Sequence, residues 1–438
     1  MKTESDYFLG GRNVSLPMVS FSLFATWFGA ETCMGSSGAV YVSGLSGSRA
    51  DPFGFSLCLL LMGLLLAGRL RRGNYITLAD YFQERYGAIV EKLAIWIMIP
   101  SSLFWAAAQL RAFGQIISAT TYLPVSLTIV LSTIFVVLYT YLGGLLGDIY
   151  TDFLQGIVII FGLAFLLFLT LNNVHGLPEI LTAMDHSRLS FIRPQETFLE
   201  RIDRWMVPIL GSLVTQEAIA RILAAKSIRI ARNASFIGFS IYLAVGSIPV
   251  FLGLIGPSLL PGVGDPEQFL IKFADQFLPQ ILFLIFVGAL ISAILSTIDS
   301  ILLAISALFS HNLIFSLFSV RGQRSRVLIA RLTVAASGIL ASFIATSGGG
   351  IYNLVLTASA LGTAGVLVIT MLGFYTKSGG RIAAIATLLT GLVLTLVGQY
   401  ILNLQAPFMT SVLGSTAIFF IISAFSRKLP SLGGRSIN

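Results

Sequence analysis

Apolar stretches of about 20 residues recur along the whole chain, near 16-42, 53-70, 89-120, 123-142, 149-171, 204-222, 235-256, 279-311, 326-346, 351-374, 381-402 and 407-426. A helix of that length crosses the roughly 30 Å hydrocarbon core of a bilayer, so the chain is expected to be an all-α polytopic membrane protein with about 12 transmembrane helices. Composition agrees: of 438 residues 56% are hydrophobic and 11% charged, where a soluble domain carries about 25% charged residues. The net charge of +8 is read as topology before any acidic partner is invoked. With the N-terminus in the cytoplasm, all basic residues except Arg49, Arg111, Arg188, Arg193, Arg201, Arg204 and Lys272 fall on inner loops or inner helix halves, as the positive-inside rule requires. Both termini are thus expected on the cytoplasmic side of the plasma (inner) membrane, with lipid as a partner and no nucleic acid.

Residues 1-438 read as a single membrane domain. The longest polar stretch, Asn172 to Asp203, is expected as an outer loop, and RRGNYITLADYFQERY (Arg71 to Tyr86) as an amphipathic helix at the inner surface. No nucleotide-binding loop and no Gly-x-Ser-x-Gly elbow in a strand-turn-helix context occurs, so an enzyme or an ATP-driven pump is not expected. Cys33 and Cys58 lie within apolar stretches, where they read as small hydrophobes. His175, His186 and His311 lack the spacing of a transition-metal site.

Polar residues at membrane depth mark ion or substrate paths, and the eighth stretch holds Ser296, Thr297, Asp299 and Ser300 at its centre. The carbonyl of Ala293 and the hydroxyls of Ser296 and Thr297 share one helix face. Such oxygens either suit a small hard cation or bond back onto their own helix. The first stretch, SLFATWFGAETCMGSSGAVYVSGLSG, carries Glu31 among Gly29, Gly35, Gly38, Gly44 and Gly47. Those glycines either unwind the helix and bare its carbonyls or permit close helix packing. Asp148 and Asp152 share a helix face, and either raise each other's proton affinity or complement a helix N-terminus. In the third stretch Trp105 and Gln109 stand at i, i+4, an aromatic wall beside an amide. Arg111 either pairs with a substrate carboxylate or snorkels to the headgroups. Asp51 before Pro52 reads as an ordinary helix start.

Several motifs in one order are more specific than any of these alone. DYFLGGR (Asp6 to Arg12), SLFATWFGAE followed by GSSGAVY (Ser22 to Tyr41), LADYFQERYG (Leu78 to Gly87), GGLLGDIYTDFLQ (Gly143 to Gln155), ARILAAKS (Ala220 to Ser227) and AILSTIDSILL (Ala293 to Leu303) resemble the sodium:solute symporter family, to which bacterial sodium/proline and sodium/galactose symporters belong. Beyond about residue 310 only the hydropathy pattern agrees. The resemblance implies a core of five-plus-five inverted repeats, here about 15-171 and 204-374, with extra helices at about 381-426. It implies sodium as the coupling ion, held by carbonyls of Ala25, Phe28 and Ala293 and by hydroxyls of Ser296 and Thr297, with Asp152 linked to cation coupling.

By the same resemblance the chain imports a small organic solute by alternating access. Thr32 stands where sugar symporters carry Gln, and Pro208 and Gly211 offer no side-chain donor, so an amino acid or monocarboxylate is expected rather than a sugar. Thr32, Trp105, Gln109 and Arg111 are the expected solute contacts. Trp27 replaces the Asp of proline symporters, which argues against proline. The family's usual helix ahead of the DYFLGGR segment has only a few residues here. The alternative is a solute-sensing module, since this fold is also fused to histidine kinases, although this chain carries no kinase domain.

Overall fold

The computed structural model describes residues 4–121, 123–173, 177–318, 320, 322–347 and 350–428; His175 lies outside them. The described chain is nearly all helix, and its one β contact is an isolated parallel bridge between Val14 and Ala225. Eight helices are long and apolar enough to cross a membrane, or ten if two bent pairs each count as one span. All twelve apolar stretches expected from the sequence lie on helices, with three departures from plain spans.

The first departure is a break. Helix α1 (Leu16–Trp27) is only 12 residues long because Phe28 leaves helical geometry (φ −79, ψ 75). The Gly29 amide turns back to the Trp27 carbonyl at 2.9 Å, so the Ala25 carbonyl loses its helical donor. A π-helical turn, Glu31–Ser36, then resumes the path. Both readings of the glycines hold, at different positions. A Cβ on Gly29 would lie 2.7 Å from the Thr297 hydroxyl and 2.9 Å from Gln109 Oε1, at the break itself. On Gly38 it would lie 2.3 Å from the Pro266 carbonyl, a packing contact.

The second departure is fusion: the fourth and fifth stretches share one helix, α3 (Val125–Asn173, 49 residues), which follows α2 (Ala88–Thr121). At about 1.5 Å per residue α3 is far longer than one crossing, and its apolar parts are Val125–Tyr141 and Gly147–Asn173. The third is bending. Phe198–Val214 meets α4 (Gln216–Ala224) at 48°, and Ile351–Ala360 meets Thr363–Tyr375 at 43°. Thr215, at φ −72 and ψ 131, is the extended residue ahead of α4.

Helices α5 (Ile228–Leu259) and α6 (Gln280–Ser306) complete the centre, where α1 packs against α3, α5 and α6, and α6 against α2 and α3. Arg381–Tyr400 and Pro407–Lys428 pair with each other at the periphery. The amphipathic helix expected within Arg71 to Tyr86 occupies Leu78–Tyr86, with Thr77 and Asp80 forming its capping box. Asp80 further accepts from Asn312 Nδ2 at 2.7 Å, tying this helix to the end of the eighth span. The buried Arg49, just ahead of the second apolar stretch, pairs at 2.7 Å with Glu196 of the polar segment between Asn172 and Asp203.

Candidate functional site

Two polar clusters meet at the break after α1. The first lies between α1 and α6. Thr297 Oγ1 is 3.2 Å from the Ala25 carbonyl and 3.2 Å from the Ala293 carbonyl, so it bonds back onto its own helix and across to α1 at once. Three of the five expected sodium ligands therefore converge on one point, while Phe28 sits at the break one turn after Ala25. The fifth, Ser296, donates its hydroxyl to Asp152, which leaves the lone pairs of that hydroxyl free to face a cation.

Asp152 does not stand alone. Ser22 donates to it, and Arg221 on α4 lies 3.4 Å away while pairing more closely with Asp148. Ser300 Oγ reaches Asp148 at 3.0 Å and also meets Arg221. Every one of these residues is buried. Asp148 lies within α3 (Val125–Asn173), and Arg221 pairs with it and compensates its charge. A buried acid pair is tolerable with such a partner and costly without one.

The second cluster is aromatic and acidic. Trp27 and Trp105 stack at 6.0 Å with their planes 18° apart, and Phe55 closes the group at 5.7 Å from Trp27 and 5.6 Å from Trp105. Trp105 Nε1 donates to Glu31 at 3.2 Å. Gln109 donates to the same carboxylate and accepts from the Ala30 amide at 3.1 Å, capping the helix that resumes after the break. Trp27 Nε1 lies 3.5 Å from Glu217 Oε1. Thr32 donates to Asp51 at 2.7 Å, and Tyr242 OH is 3.1 Å from the same oxygen. The remaining oxygens of Asp51 and Glu217 are buried without a hydrogen-bond partner among the described residues. A cleft lined by Trp105, Glu217, Ser101, Thr215 and Leu361 adjoins the group.

Asp51 is thus no ordinary helix start; it is a buried carboxylate facing Thr32 and Tyr242. Arg111 lies apart from Trp105 and Gln109, because two residues on from Gln109 a helix turns to another face. Its Nε is 3.5 Å from Glu267 Oε2, and Glu267 also accepts from Gln115 at 3.3 Å. Burial pushes the Glu267 carboxyl above its ordinary range, against the Ile351 amide and Arg111, which lower it.

Sequence reasoning passed over Trp27, Phe55, Tyr242, Glu217 and Arg221 as site residues. Glu217 and Arg221 carried a legible signal, as ionisable residues inside an apolar stretch. The aromatic residues carried none, since aromatics are ordinary core residues in any apolar helix.

The sodium:solute symporter family model matches residues 7–391. The high affinity choline transporter 1 of Homo sapiens is 28% identical over 407 residues, covering 89% of this chain and 70% of that protein. Its Drosophila melanogaster counterpart is 26% identical over 80% of this chain, which spans 59% of that relative's length. A sodium/proline symporter of Staphylococcus aureus is 26% identical over 90% of this chain and 80% of its own. Among solved structures, a Na+-coupled sialic acid symporter in an outward-open state superposes with a TM-score of 0.84 at 19% identity, covering 98% of this chain and 93% of the other. Mhp1, facing inward, superposes with a TM-score of 0.60 at 17% identity, over 93% and 91%. These likenesses establish the fold.

Proposed function

Because the chain belongs to the sodium:solute symporter family, we propose that this multi-pass membrane transporter imports a small organic cation of the quaternary ammonium kind across the plasma membrane. The observation that carries the solute class is the pairing of aromatic faces with unmatched carboxylates. Trp27, Trp105 and Phe55 form a wall, and Asp51 and Glu217 each bury an unpartnered oxygen beside it. A cation over an aromatic face gains about 0.5 to 1 kcal/mol at an exposed site and about 2 kcal/mol or more when desolvated. Choline transporters stand among the relatives, which points the same way. Arg111, the side chain that would meet the carboxylate of an amino acid or monocarboxylate, lies 3.5 Å from Glu267 instead.

Sodium drives uptake from the first cluster, with Ala25, Phe28, Ala293, Ser296 and Thr297 as its ligands and Asp152 linking it to the surrounding helices. The Thr297 hydroxyl hydrogen serves the carbonyls of Ala25 and Ala293; a sodium ion entering there takes over both carbonyls and a Thr297 lone pair, drawing α1 against α6. That closure favours one face of an alternating-access cycle. A potential of 100 mV adds about 2.3 kcal/mol per sodium. Inverted repeats at about 15-171 and 204-374, helices beyond at about 381-426 and cytoplasmic termini complete this reading.

Counterflow in proteoliposomes tests it. Labelled choline, as a quaternary ammonium probe, is expected to accumulate with an inward sodium gradient and not without one. Sodium-driven uptake of carboxylates or sugars that no quaternary ammonium compound inhibits would overturn the solute class.

A further inference from the structure

Arg221 is buried in the membrane core, 1% exposed, and the transport scheme above gives it no part beyond neutralising acids. Its reach exceeds that task. Nε lies 3.2 Å from Ser22 Oγ on α1, Nη2 pairs with Asp148 and Asp152 on α3, and the same nitrogen meets Ser300 on α6. The residue itself sits on α4, so one guanidinium touches a side chain from each of the three helices around the sodium ligands. Asp152 is the shared member: one oxygen takes the Ser296 hydroxyl and the other lies 3.4 Å from Arg221.

The opposite end of α4 faces the solute cluster. One turn before Arg221, the Glu217 carboxylate meets the Trp27 indole, and Arg221 Nη1 holds the Glu217 carbonyl at 3.1 Å. Ahead of both lies the bend at Thr215, 48° between Phe198–Val214 and α4, about which a nine-residue helix can tilt as a unit. Coupling between two sites requires an element that both of them bias, and α4 is placed to be that element.

We propose that Arg221 is the positioning residue that transmits sodium occupancy to the second half of the sixth span, and through Glu217 to the solute pocket. This rests on the sodium site proposed above. A sodium ion on Ser296 polarises the hydroxyl and strengthens its bond to Asp152, which weakens the hold of Asp152 on Arg221 relative to Asp148. The planar fork of the guanidinium converts that redistribution into a displacement of α4.

Tryptophan emission reads the proposal without needing the solute. The chain has 4 tryptophans; with Trp96→Phe and Trp205→Phe, only Trp27 and Trp105 report, both beside the solute cluster. In that background sodium is expected to change the emission, and radioactive sodium bound to purified protein gives the affinity separately. Absence of sodium binding in the background protein would defeat the sodium site itself. Removing Arg221 alone strands two buried acids, so Arg221→Met is combined with Asp148→Asn. The pair is expected to retain sodium binding within about fivefold while the emission response falls at least fivefold, the lower end of ordinary coupling factors. If this pair does not fold, Ser22→Ala with Ser300→Ala removes the hydroxyls that orient the guanidinium, and the same split is expected. Sodium binding retained together with an undiminished emission response overturns the role of Arg221 while leaving the ion site standing.

Discussion

The first and sixth spans are both broken, and they break differently. After α1 the chain is opened by side chains from other helices: Thr297 takes the Ala25 carbonyl and Gln109 caps Ala30, with Gly29 the residue that lets both approach. Before α4 the chain is opened by its own turn. Val207–Gly211 is π-helical and Ser212–Val214 a 3₁₀ turn, Thr215 Oγ1 returns to the Ser212 carbonyl at 3.0 Å, and a Cβ on Gly211 would lie 2.2 Å from the Ser359 carbonyl. The first break therefore presents bare carbonyls, which suit an ion, whereas the second presents a short resumed helix carrying Glu217 and Arg221, which suits a moving part. A break can be a ligand or a hinge, and what props it open decides which.

Gly29→Ala is the severest test of that contrast, since its Cβ would displace both the Thr297 hydroxyl and Gln109. Overpacking of this kind costs about 1 to 3 kcal/mol or more, and sodium-driven uptake is expected to fall by over an order of magnitude with sodium binding lost. Gly211→Ala, whose Cβ would meet the backbone carbonyl of Ser359 at 2.2 Å, is expected to lower the melting temperature while the protein that folds keeps its sodium constant. If the two substitutions give the same phenotype, the distinction between the breaks is void.

Next in size, Thr297→Ala removes one ligand worth about 1 to 3 kcal/mol, and the apparent sodium constant is expected to rise about 5-fold to 150-fold. Uptake titrated with sodium measures it; an unchanged titration takes the ion away from α6. Asp51→Asn keeps the shape and removes the charge facing Thr32 and Tyr242. Loss of a charge-assisted contact of about 1.5 to 3 kcal/mol predicts a solute constant raised by about tenfold or more, with sodium binding measured without solute unaltered.

A smaller effect belongs to Gln109→Ala, which releases the cap on Ala30 and one donor to Glu31. The solute constant is expected to rise by about fivefold at roughly 1 kcal/mol; loss of sodium binding instead would assign Gln109 to the first break alone. The smallest is Arg111→Gln. Its pair with Glu267 is partly exposed, at 22% and 17%, and such pairs contribute about 1 kcal/mol or less. Transport near the normal level is expected, and a large loss confined to anionic solutes would restore Arg111 as a carboxylate clamp.

The all-α membrane fold was legible because a bilayer admits few alternatives to apolar helices, and twelve such stretches can be counted without knowing what they touch. Family membership was legible in the motifs between Asp6 and Leu303. The shared face of Ala293, Ser296 and Thr297 on α6, the proposed ion ligands, was legible because they lie within a turn of each other, where helical periodicity alone puts them together. Local geometry reaches no further than that. The break at Thr215 follows from a turn with no glycine at the bend itself. The union of Trp27, Phe55 and Trp105, the burial of Asp51 against Tyr242, and the junction of Arg221 with Ser22, Asp148, Asp152 and Ser300 all join residues from separate helices. Their partners are set by which helix faces meet, a property of the packed bundle that leaves no periodicity in the chain; hydrophobic pattern and helix-scale spacing were therefore settled by the sequence, and pairing across helices only by the tertiary structure.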